Sequence, residues 1–156
     1  MKKITALCGS LVLSVLAASA AQAEETRPYL TSANALKGIQ ACQTLAASKG
    51  WNMAMVIVDR GDDVVASFRM DEALPAAYTG ATLKAGSSLS WGMPSGDIAN
   101  ITNKKPEFKA FPGLLTVGGG EPLFSKSGKL MGAIGVAGGY VEHDQECAKA
   151  AVAAMK

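Results

Sequence analysis

"KLMGAIGVA" (residues 129–137) reads as a strand with one normal face and one nearly bare one. With side chains alternating, Leu130, Ile134 and Val136 point one way, and Met131, Ala133, Gly135 and Ala137 the other. A strand keeps so little bulk only where something large lies against it. The C-terminal helix, another subunit and a flat ligand are the candidates, so the rest of the chain is read for what surrounds this strand.

Just upstream, "LLTV" (114–117) and "PLFSK" (122–126) read as two more strands, jointed at Gly118-Gly119-Gly120 and again at Gly128. Further back, "MAMVIVD" (53–59) is apolar on both faces, which asks for a central strand covered above and below. The turn "RGDD" returns it as "VVASFRM" (64–70). The spacing of Ala35, Ile39, Cys42 and Ala46 predicts a helix from its cap at Thr31 to about Lys49, stopped by Gly50. A second helix over Pro75–Ser90 is unusually small-sided and can pack close to a sheet. A third, Val141–Met155, carries the stripe Cys147, Ala148, Ala151, Val152 and Met155. Residues 91–113 are the least regular, with a short helical turn from Pro94 to Ile101. Their apolar side chains predict an ordered loop over a sheet edge or a pocket. The expected fold is therefore α/β (α+β): a single domain with a five-stranded, largely antiparallel sheet and helices on both faces.

Residues 1–23 stand apart. Lys2 and Lys3 precede a short apolar run, and "AQA" (21–23) reads as a small-residue cleavage site. The expectation is a cleaved signal peptide over 1–23, a single domain over 24–156, and a periplasmic or secreted protein. Without Lys2 and Lys3 the chain balances thirteen basic side chains against thirteen acidic ones. That neutrality argues against nucleic acid as a partner. No later stretch is long and apolar enough for a membrane span.

Candidate chemistry is sparse. His143 is the only histidine, four residues before Cys147. Two ligands are too few for a closed zinc site, which takes about four. Cys147 and Cys42 each face inward on their helices, so they are either a disulfide pair or two buried thiols. Nucleophile elbows and phosphate-loop signatures are missing from the sequence. Gly118, Gly119 and Gly120 are either a tight turn or a small nest for a carboxylate or propionate. Arg69 can fork onto a ligand carboxylate or pair with Asp71 or Glu72. Lys84 is an isolated charge among small residues and so a pocket candidate, with Tyr78 six residues earlier. His143, Met70, Met93, Tyr78 and Tyr140 are the side chains that could ligate a haem iron.

The run "FPGLLTVGGGEPLFSKSGKLMGAIGVAGGYVEHDQECAKAAVAAM" (111–155) resembles the end of a known family. It is similar to the small haem-binding, haem-degrading proteins of the GlcG and HbpS type. The front half agrees, through "VIVDRGDDVVASFRMDEALPAAYTGATLKAGSSLSWGMPS" (56–95). Ala137 replaces a common serine, and Asp62 a turn glycine. The resemblance implies homo-oligomers and, in some members, non-covalent haem or another tetrapyrrole.

It carries over Arg69, Asp71, Lys84, Gly118–Gly120 and Gly138–Gly139 as family positions. The expected cofactor site combines Arg69, Lys84, Tyr78, His143 and Gly118–Gly120, with His143 as the candidate iron ligand. The expected function is an extracytoplasmic haem-binding protein that stores, buffers or senses haem, more an accessory than an enzyme, with a possible extracytoplasmic protein partner. The alternatives are a non-catalytic small-molecule or assembly module and a haem-degrading enzyme.

Overall fold

The computed structural model describes residues 26–156; the predicted leader and its cleavage point lie outside the described residues. Helix α1 (Ser32–Lys49) starts as the sequence predicts: the Thr31 hydroxyl accepts a hydrogen bond from the Asn34 N–H at 3.2 Å. It stops at Gly50, whose φ of 70° only glycine adopts readily. Strands β1 (Ala54–Asp59) and β2 (Val64–Arg69) form the hairpin, and α2 (Pro75–Trp91) follows. Then come α3 (Ser95–Lys104), a 3₁₀ turn (Pro106–Ala110), strands β3 (Gly120–Phe124) and β4 (Leu130–Ala137), and α4 (Val141–Ala154). Among the described residues no helix is long and apolar enough to cross a membrane.

The sheet has four strands, all antiparallel, in the order β2-β1-β4-β3. This corrects the five-stranded sheet expected from the sequence. The missing strand is 114–117, whose backbone groups go to side chains instead of a ladder. The Leu115 N–H donates to the Ser87 hydroxyl at 2.7 Å, and the Val117 carbonyl accepts from the Ser95 hydroxyl at 2.6 Å. Two serines on α2 and α3 thereby satisfy a segment that strand propensity alone would pair.

β1 is central, and its side chains feed two cores. Met55 and Ile57 meet Ala35, Ile39, Cys42, Cys147 and Ala151 from α1 and α4. On the other face Val56 and Val58 meet Ala77, Ala81 and Ala85 of α2.

The bare side of β4 is covered by α2, which was not among the three candidates. Ala133 and Ala137 pack in the α2 core, and the α2 backbone lies directly over Gly135. Two small-residue surfaces meet here, so helix and sheet approach closely. At the start of β4 the expected facing is exchanged: Met131 joins the α1/α4 core and Leu130 the α2 core. The register between β3 and β4 slips there, with Leu123 opposite Gly132 but Phe124 opposite Leu130. One extra residue on β4 turns the alternation over.

The irregular stretch 91–113 divides in two. Helix α3 seals the outer edge of β3, where the Gly120 N–H donates to the Ser95 hydroxyl at 2.8 Å. Residues 103–113 stay exposed, with Trp91 and Phe108 in edge contact at 5.5 Å.

Candidate functional site

The residues proposed from sequence fall into three separate places. Lys84 and the glycine turn are in the interior, at the end of the sheet. The Lys84 ammonium donates to the Asp144 carboxylate at 2.6 Å and to the Val136 carbonyl at 3.0 Å. Asp144 also accepts from the Gly139 N–H at 3.1 Å. Both side chains are about 95% buried. Burial pushes the Asp144 carboxyl above its usual range, and the Lys84 hydrogen bond and charge pull it back.

Gly119 and Gly120 lie on this pair. A β-carbon at Gly119 would sit 2.6 Å from the Val136 carbonyl oxygen and 3.1 Å from the Lys84 nitrogen. One at Gly120 would run into the Lys84 backbone carbonyl, and one at Gly118 into the Gln145 side chain. The glycines are what lets the turn close over a buried ion pair.

Asp144 was missed from sequence as Lys84's partner. The signal was there: one charge in an alanine- and glycine-rich helix needs an acid, and "EHD" opens α4. Lys84→Met should cost on the order of 3 kcal/mol, because it leaves a buried carboxylate unpaired. The loss is near the low end because Asp144, already raised by burial, can take up a proton. Lys84→Met combined with Asp144→Leu should recover most of that loss in urea unfolding. A double variant no better than the single would exclude this account.

Arg69 and Tyr78 occupy the second place, the exposed side of β2 and α2. The Arg69 guanidinium donates to the Ala73 carbonyl at 2.5 Å, and the Tyr78 hydroxyl to Ser67 at 3.3 Å.

The third place holds His143. Its ring stacks on Trp51, centroids 4.2 Å apart and planes 11° from parallel. Tyr140 meets it edge-on at 5.4 Å and is 77% exposed. The Lys49 ammonium hangs 5.8 Å from the Trp51 ring centre, in an exposed pairing with Glu146 at 3.9 Å. Trp51, Tyr140 and His143 border a cleft of about 510 Å³ that Glu72, Leu74, Gly138 and Gly139 also line. Gly138, at φ 139°, sits where a β-carbon would strike the Asn52 carbonyl. Trp51 was missed from sequence, since nothing local ties the end of α1 to the start of α4.

Cys42 and Cys147 form a disulfide with Cα atoms 4.8 Å apart, so neither is a free thiol ligand or nucleophile. Among the described residues no group of three or more His, Cys, Asp or Glu side chains could hold a metal ion.

Comparison with known proteins agrees with this architecture. A family model described as "Haem degrading protein HbpS-like" matches residues 30–153. The crystal structure of a double mutant of Streptomyces reticuli HbpS is 28% identical, covers 98% of this chain and 96% of its own, and gives a TM-score of 0.78. A second HbpS structure is 31% identical over 83% of this chain and 92% of its own, also at 0.78. Klebsiella pneumoniae protein ORFY is 25% identical over 85% and 94%, with a TM-score of 0.77. No curated protein matches the chain. On the family match and the HbpS likeness together, the chain belongs to the HbpS-like family.

Proposed function

We propose that this protein is an extracytoplasmic haem-binding accessory protein that holds haem or a related tetrapyrrole at the Trp51–Tyr140–His143 cleft. The observation that carries this reading is the only histidine, held by its stack on Trp51 at the rim of an aromatic-walled cleft. The residues present suit the group. His143 is a nitrogen donor for iron, and Trp51 and Tyr140 supply apolar ring surface. The Lys49 ammonium, beside Trp51, is a nearby cation for a propionate. Haem, when bound, would supply an iron that the His143 imidazole could ligate. The chain's own part is to fix the ring and shield one side. Family membership supports the same ligand class. This reading places no ligand contact on Arg69, Tyr78, Lys84 or Gly118–Gly120, whose side chains or backbone have other partners. Export after Ala23 and assembly into homo-oligomers belong to the same reading.

Titrating hemin should give a saturable Soret band, and His143→Ala should weaken binding at least about tenfold and shift the band. Trp51→Ala should act in the same direction but less. An unchanged titration in His143→Ala would exclude this cleft. Conversion of bound haem to a linear tetrapyrrole, with peroxide scavenged, would replace the accessory reading with an enzymatic one.

A further inference from the structure

The buried Lys84–Asp144 pair is wired to the His143 cleft through one backbone group. Asp144 follows His143 on α4; its Oδ1 accepts the Gly139 N–H at 3.1 Å, and its Oδ2 takes the Lys84 ammonium at 2.6 Å. Gly139 lines the cleft, and the turn that this bond closes, residues 139–144, carries Tyr140 and His143, two of the cleft's three rings. Tyr140, the N-cap of α4, makes no side-chain capping bond, so the tie back to the preceding loop comes from Asp144. The disulfide grips α4 one turn further in, at Cys147, and the Lys49–Glu146 pair beside the rings is exposed and weak. Neighbouring side chains diverge by about 100° around a helix, so a carboxylate anchored inward aims the imidazole before it toward the rim.

Stability alone does not account for the pair. Apolar side chains of similar volume often match or better a buried ion pair, because they avoid the cost of taking two charges out of water. What an apolar pair cannot do is accept the Gly139 N–H, and without that bond the turn is free to settle elsewhere. Lys84 also donates to the Val136 carbonyl at 3.0 Å, near the end of β4, which fixes the carboxylate to the sheet. We infer that Asp144 is the positioning residue of the cleft: held in the interior by Lys84, it sets through Gly139 where Tyr140 and His143 stand, without itself touching a ligand. For the ligand this rests on the haem reading; for the ring positions it rests on the geometry alone.

Two double variants separate positioning from stability. His143 is the only histidine, so an untagged chain gives one set of imidazole proton resonances, and the Trp51 ring stacked 4.2 Å away shifts them from their free position. Lys84→Met with Asp144→Leu removes the acceptor for Gly139 and leaves no unpaired charge. It should regain most of the stability that Lys84→Met loses, yet lose most of the ring-current shift and bind hemin at least about tenfold more weakly than the parent. Lys84→Met with Asp144→Asn keeps a side-chain oxygen for the Gly139 N–H. It should restore the shift and bring hemin affinity to within about threefold of the parent. Parent-like resonances or parent-like hemin affinity in the first variant, no recovery in the second, or unfolding of both in urea as early as Lys84→Met would each overturn the proposal. If hemin binds none of these chains while the resonances move as expected, only the haem reading falls.

Discussion

Gly135→Ala should leave little folded protein, with a loss above about 4 kcal/mol in urea unfolding or no soluble product at all. Gly135 lies mid-strand in β4, facing α2. A β-carbon there would lie inside van der Waals contact with the Ala81 carbonyl oxygen and 2.6 Å from the Ala85 nitrogen. Both obstacles are backbone, so no rotamer change relieves them. The helix would have to lift from the sheet, opening the core formed by Ala77, Ala81, Ala85, Val56 and Ala133. Gly86→Ala, on the same helix, is the control. Its nearest neighbours would be the Asp62 carboxylate oxygens at 3.6 Å, ordinary contact. Alanine there should be neutral or stabilise by up to about 1 kcal/mol, through helix propensity alone. If both variants unfold at the same urea concentration, close helix–sheet contact is not what holds this fold.

Breaking the disulfide should be the next largest loss, about 4 kcal/mol. Cys42 and Cys147 are 105 residues apart, so the bond closes a long loop and removes its closure entropy from the unfolded chain. Both cysteines are fully buried where α1 packs on α4, so reductant should act only after opening. Reduction in denaturant, or Cys42→Ala with Cys147→Ala, should lower the melting temperature by roughly 15 °C. Parent and double variant melting within about 2 °C of each other would show that the crosslink contributes little beyond the packing around it.

Much of the fold was legible because its signals are local. The Thr31 cap, the Gly50 stop, the 3.6-residue stripe of α4 and the alternation in β4 each follow from a few neighbouring residues. The error over 114–117 has the opposite cause. Whether an apolar run becomes a strand depends on who takes its backbone hydrogen bonds, and here distant Ser87 and Ser95 do. The exchange of Leu130 and Met131 is similar, since a slip in pairing with β3 leaves no mark in β4's own sequence.

The site divides along the same line. His143 could be singled out because it is the only histidine, and Lys84 because a lone charge in a small-sided helix is conspicuous. Their partners, Trp51 and Asp144, are 92 and 60 residues away from them.

The amino-acid sequence alone determined the family, the helices, the inward-facing cysteines and the demand that something cover the bare side of β4. Propensity, capping and periodicity act over a few residues and can be read in order along the chain. Only the tertiary structure decided that α2 provides that cover, that the sheet stops at four strands, and that Lys84 is buried against Asp144 while His143 is at the surface with Trp51. Those outcomes depend on which distant groups satisfy one another's hydrogen bonds, charges and volume, and that is settled only when the chain is packed.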